Sequence, residues 1–230
     1  MSSSAKDLEQ RSLRYRLTDA LRERIVSSDL TRGERLDLNQ IARDYEVSPI
    51  PVREALIVLE SEGVVTSLAR RGVFVAELSA EDLIEIYQVR EAIEVQAVDL
   101  LIQAADSAVD TVLQAALDEL DRCWQRGDHD AAVRVDMRLH CLLSELSGNA
   151  RLASVGQMMA NQTLLHLVPV EESQVALRRR PADHFHADIV RAITRRDVET
   201  ARLAIRDHYT WSRGRLLDPS LGAWQDSPVS

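Results

Sequence analysis

Residues 38–62, LNQIARDYEVSPIPVREALIVLESE, decide the fold. The first part, residues 39–45, reads as a short helix that turns Ile41 and Ala42 inward. A tight break follows at Glu46, Val47 and Ser48. Then Val52, Ala55, Leu56 and Leu59 recur at helical spacing and predict a second helix over residues 49–62. Ser48 suits the N-cap, and proline suits the first turn, where no intrahelical bond is lost. Two short helices joined by about three residues form a helix-turn-helix, whose second helix fits a major groove. Beyond Gly63, residues 64–68 and 73–75 predict two strands. Ala69, Arg70, Arg71 and Gly72 turn between them, which makes a wing with two arginines and a glycine at its tip. Upstream, Leu17, Leu21 and Ile25 predict a helix over residues 13–28 that packs beneath the pair. Residues 31–36 form the connecting turn, and residues 1–12 are a flexible lead-in.

Composition frames the rest. The 230 residues suffice for this small unit plus a larger one of about 150 residues. Few prolines and glycines among many Ala, Leu, Arg, Asp and Glu favour helix. No apolar run approaches a membrane span, and the first residues lack a signal-peptide core, which implies a cytoplasmic protein with no membrane partner. Cys123 and Cys141 are then expected as reduced, buried thiols. The net charge of −9 is unevenly shared. Residues 1–77 carry 12 basic and 13 acidic side chains, whereas residues 78–230 carry 16 and 24. The acidity belongs to the second part, so arginines in the first can still gather on one face.

From residue 78 the chain reads as helix almost throughout. Helices are expected near 80–105, 109–126, 130–147, 150–167, 182–195 and 197–217, with a seventh short one over 171–179. Ser79 is the expected N-cap of the first. The domains expected are a flexible terminus at 1–12, a winged helix-turn-helix over 13–77, a bundle of six or seven helices over 78–218, and a loose tail over 219–230. The fold class is mainly α.

One constellation in the bundle carries chemistry. Asp136 and His140 are four apart and project from one helix face. His186 and His208 lie on consecutive helices joined by a tight turn, at similar distances from it, and so at similar heights. One carboxylate and three imidazoles can converge if the Asp136 helix packs alongside. That set suits a divalent metal, Zn first, with Ni, Fe or Mn as alternatives, and leaves positions open for a ligand. A buried histidine simply bonded to the aspartate is the competing reading. Arg90 is a candidate to grip a carboxylate in bidentate fashion, against an intrahelical pair with Glu94. Asn161, beside Gln162 and His166, is a candidate cavity residue or a satisfied polar partner. The tryptophans read as packing.

The run of GERL, then IA, VS, PVREAL, LESEGVV and RRGVFV resembles the winged helix-turn-helix of the GntR superfamily of bacterial transcriptional regulators, over about 60 residues. That resemblance implies DNA contacts by Arg35, Ser48, Ile50, Pro51, Arg53, Arg71 and Gly72. The chain departs from it at Pro49, where the family usually places arginine or another polar residue. The remainder resembles the helical FCD domain of FadR-type members, with Asp136, His140, His186 and His208 at its metal positions. This implies a dimer on a pseudo-palindromic double-stranded DNA operator, a repressor by expectation, controlled by a small organic acid at the metal, and not an enzyme. The alternatives are a constitutive DNA-binding dimer with structural histidines, or a metal-dependent hydrolase fused to a DNA-binding domain.

Overall fold

The computed structural model describes residues 2–167 and 184–217. The chain divides into two compact units, Met1–Leu78 and Ser79–Ser230. The first contains helix α1 (Ser2–Val26), strand β1 (Arg35–Leu36), helices α2 (Leu38–Asp44) and α3 (Pro49–Ser61), and strands β2 (Val65–Leu68) and β3 (Gly72–Val75).

Helix α1 packs on α3. Leu17, Leu21 and Ile25, spaced one turn apart, are buried, as are Val52, Ala55, Leu56 and Leu59 of α3. Arg22 closes the pair by donating from Nε and Nη2 to the Glu62 carboxylate at 2.7 and 2.8 Å. The helix begins at Ser2, not at Leu13. The lead-in expected to be flexible holds Ala5, Lys6, Leu8, Glu9 and Gln10 and no proline or glycine to stop a helix. Truncating Leu21, which is wholly buried, to alanine is expected to cost about 2–5 kcal/mol in urea unfolding followed by circular dichroism.

The wing has one strand more than the sequence predicts. Residues 35 and 36, expected as turn, form β1, which pairs antiparallel with β3 in the register Arg35↔Phe74 and Leu36↔Val73. The sheet order is β1-β3-β2. Leu36 faces inward and Arg35 outward, the alternation of a strand too short to show a period in sequence. Helix α2 is capped by Asp37, whose carboxylate accepts from the Asn39 and Gln40 N–H groups.

Ser48 is the N-cap of α3, but its side chain makes no capping bond. Part of the reason is in the sequence. An N-cap oxygen bonds the N–H at the second or third helical position. Here the third position is Pro51, which has no N–H, so Ile50 is the one candidate donor left, and Ser48 does not bond it.

The second unit comprises α4 (Ala80–Ala104), α5 (Ser107–Arg126), α6 (His129–Leu146), α7 (Ala150–Leu167), α8 (His184–Thr194) and α9 (Val198–Leu217). Ser79 and Asp82 form a reciprocal capping box at the start of α4. Helix α4 is central and packs against α6, α7, α8 and α9. Its buried stripe runs from Leu83 through Ile86, Arg90, Ile93, Glu94, Ala97 and Leu101. Two ion pairs tie α9 to α4 on either side of His208: Arg202 with Asp99 at 2.7 Å, and Arg213 with Glu91 at 2.6 Å. Cys123 and Cys141 are buried and free. Among the described residues no helix is long and apolar enough to cross a membrane. The expected helix over 171–179 and the tail over 219–230 lie outside the described residues.

Candidate functional site

In the first unit the residues named for DNA contact fall on the start of α3 and on the wing. Ser48 and Arg53 are exposed, Pro51 is half-buried, and Ile50 is 69% exposed, an unusual position for a large apolar side chain. Arg53 makes no ion pair among the described residues, although pairing with Glu54 or Glu60 is what a merely solvated face would show. Glu60 instead accepts from the Ser67 N–H at 3.0 Å. At the wing, the Arg71 guanidinium lies 5.8 Å from the Phe74 ring centroid. Gly72 opens β3 with φ +109°, and a Cβ there would sit 3.2 Å from Arg35 Nε. The glycine thus gives Arg35 its lateral position, and any other residue would be strained as well as crowded.

In the second unit α6, α8 and α9 bring His140, His186 and His208 together. Each is buried, and each offers a nitrogen within 4.8 Å of the others. Asp136 is not one of the three that meet this spacing, but its Oδ1 lies 2.7 Å from His186 Nε2. His186 Nε2 is in turn 3.3 Å from His140 Nε2. Among the described side chains His208 Nδ1 is a buried polar atom with no hydrogen-bond partner, and it belongs to this cluster. Such an orphan is costly in a core. Three imidazole nitrogens and a carboxylate oxygen brought together in a buried space are a donor set that a divalent cation can use.

The surrounding residues set the protonation states. His140 Nδ1 is 2.7 Å from Glu94 Oε2. An ionised carboxylate only accepts, so Nδ1 carries the proton and the Nε2 lone pair points into the cluster. Glu94 is itself fixed by the Tyr209 hydroxyl, which donates to Oε1 at 2.5 Å, and by Arg90 at 3.4 Å. Burial works against the charge of Glu94, but His140 and Arg90 hold its carboxyl below the usual range. Burial also works against the charge of Asp136, yet the imidazoles of His186, His140 and His208 keep that carboxyl well below the carboxylate norm. Burial, reinforced by His186 and His140, holds His208 well below the ordinary imidazole value. His208 is therefore neutral, the form that binds metals.

A cavity of about 80 Å³ adjoins this cluster. Asp136 and His208 stand on its wall with the buried cations Arg90 and Arg215. Arg90 makes only long contacts, at 3.3 Å to Met137 Sδ and 3.4 Å to Thr163 Oγ1, besides that to Glu94. Two sequence expectations change here. Asn161 is buried but does not line the cavity, because it turns back along its own helix and accepts from Gln157 at 3.0 Å. Trp124 and Trp211, read as packing, do line it. Sequence reasoning also missed Glu94, Tyr209 and Arg215. The pairing of Arg90 with Glu94 at one-turn spacing was visible, but the contact from Glu94 to His140 crosses 46 positions.

A winged helix-turn-helix unit and a helical unit with a buried polar cluster define a two-part DNA-binding regulator. The chain belongs to the GntR family of bacterial regulatory proteins, which it matches over residues 13–75, with an FCD domain over residues 85–210. It is a DNA-binding transcriptional regulator, in a family of regulators rather than enzymes. It is 28% identical over 190 residues to the HTH-type transcriptional regulator YdhC of Bacillus subtilis (strain 168), covering 82% of this chain and 84% of the relative. It is 42% identical over 90 residues to the gluconate operon transcriptional repressor of the same organism, covering 39% of this chain and 37% of the relative. A GntR regulator of known structure from Rhodococcus sp. RHA1 shares the fold, with a TM-score of 0.76 at 23% identity, covering 93% of this chain and all of that one.

Proposed function

We propose that this regulator is a repressor that binds a pseudo-palindromic operator as a dimer, and that a small carboxylate held at a metal in the helical unit controls it. The observation that carries this reading is the adjacency of the histidine cluster and the cavity. Asp136 and His208 belong to both, and Arg90 faces the same space. His140, His186 and His208, with Asp136, would hold Zn or another divalent first-row metal. Bound there, the ion supplies positive charge and open positions for a carboxylate oxygen. Arg90 and Arg215 provide charge-assisted contacts to the remaining oxygens. Two protomers place two α3 helices on successive major-groove half-sites. Arg35, Ser48, Arg53 and Arg71 reach phosphates and base edges, and exposed Ile50 and Pro51 offer apolar contact to a thymine methyl. With two donors lost to Pro49 and Pro51, the α3 terminus attracts phosphate through few N–H groups, so the arginines carry more of the attraction. The Ser48 hydroxyl, relieved of capping, is free for the DNA. The likeness to the gluconate operon repressor favours repression.

Control follows by linkage. An acid that binds one arrangement of the dimer better than the other shifts the population between DNA-competent and DNA-incompetent forms. The test is a thermal-shift series on tag-free protein with mono-, di- and hydroxycarboxylic acids, before and after chelation. Binding at about 100 times Kd stabilises by roughly 2.7 kcal/mol. A shift by one class of acid that vanishes on chelation is the expected result. Melting unchanged by any acid and by chelation contradicts the reading and leaves the histidines structural. Replacing Glu94 by glutamine is expected to weaken metal binding by about 10–100-fold, measured by competition with a chelating dye, because Tyr209 and Arg90 keep the amide oxygen on their side and a neutral N–H donor then faces His140 Nδ1 in place of the carboxylate oxygen.

A further inference from the structure

We infer that the controlling acid has a compact, largely aromatic or otherwise apolar body, not a polyhydroxylated one; this rests on the metal-and-carboxylate reading of the same cavity. The charged groups on the wall gather around one recognition task. Asp136 and His208 belong to the histidine cluster, and Arg90 and Arg215 are cations suited to a carboxylate. Among the described residues the remaining wall is chiefly Tyr87, Trp124, Tyr209 and Trp211, with aliphatic side chains such as Val133 and Leu216 between them. The hydroxyls nearby are mostly committed. Tyr209 donates to Glu94 at 2.5 Å, and Ser212 donates to the His208 carbonyl one turn back at 2.8 Å. Arg215 sits 4.6 Å over the Trp211 ring, so cation and indole form one wall.

A polyhydroxy acid needs a partner for each hydroxyl, and this wall has few to give. An apolar pocket rejects each added hydroxyl by roughly 100-fold at most, and several hydroxyls compound that penalty. Size points the same way. A cavity of about 80 Å³ is roughly half the volume that takes up benzene in a dry core, so it admits only a compact body. Flat rings fit between indole and phenol side chains in offset or edge-on contact.

The experiment is isothermal titration of the full-length, Zn-loaded dimer with benzoate, isovalerate, gluconate and citrate, with tryptophan fluorescence read in parallel. Benzoate is expected to bind at least tenfold more tightly than gluconate and to quench the fluorescence. In Trp124→Leu and, separately, Trp211→Leu that preference is expected to shrink several-fold. Gluconate or citrate binding as tightly as benzoate or isovalerate overturns the inference while leaving the metal-and-carboxylate reading intact. Binding of none of the acids to metal-loaded protein overturns both. A preference for benzoate that persists undiminished in both variants, each of which melts cooperatively, overturns the assignment of the aromatic wall.

Discussion

Replacing Arg53 by alanine is expected to abolish specific operator binding while leaving the helical unit unchanged. Arg53 is exposed on the second turn of α3 and makes no ion pair among the described residues. Its removal therefore costs the folded protein little, since exposed side chains away from special features contribute within a few tenths of a kcal/mol. On DNA the same side chain is expected to matter twice, once per protomer. One good arginine contact is worth about 1–3 kcal/mol, so two give about 2–6 kcal/mol, a loss of at least roughly 30-fold. Fluorescence anisotropy with an operator fragment measures it. Arg53→Lys keeps the charge but not the planar fork and should recover the salt-dependent, non-specific part alone. Retained operator affinity in Arg53→Ala would remove this residue from the interface.

The second large effect is expected at His208. Its Nδ1 has no hydrogen-bond partner, so His208→Ala breaks no hydrogen bond at that atom. If the ring merely filled space, the variant would lose some packing and nothing else. As a metal ligand, it would carry down the metal affinity by at least about 100-fold, more than the loss usual for an outer partner. Chelation would then cease to lower the melting temperature, because the metal-linked part of the stability would already be absent. Comparing His208→Ala with wild type, each with and without chelator, separates the two roles. Asp136→Ala is a less direct test, since it leaves His186 without its 2.7 Å neighbour.

The helix-turn-helix was legible because its apolar residues keep helical spacing on both sides of one break, and because the prolines mark the start of α3. The same prolines misled in one respect. A serine at an N-cap predicts a capping bond, but one of its two possible donors is missing at Pro51, and Ser48 stays exposed without a cap bond. Strand β1 was not legible. Two residues cannot display a period, and only their pairing with Phe74 and Val73 reveals them. In the helical unit the heights of His186 and His208 followed from counting back from their shared turn, and their rings stand 4.7 Å apart. What counting does not reach is the packing of distant helices. Glu94 faces His140 and Tyr209 only because α4 runs through the centre of the bundle. Asn161 shows the converse, since a polar residue near the right helix end can turn to its own neighbour Gln157 and leave the cavity wall to aromatic side chains.

His140, His186 and His208, with Asp136, are proposed to hold a metal. Inductively coupled plasma mass spectrometry of tag-free protein, dialysed after incubation with divalent metals, tests this proposal most directly. About one divalent first-row ion per chain is expected in the wild type, and close to none in His208→Ala. A wild-type protein that retains no metal, or one that retains the same amount after His208 is replaced, would contradict it.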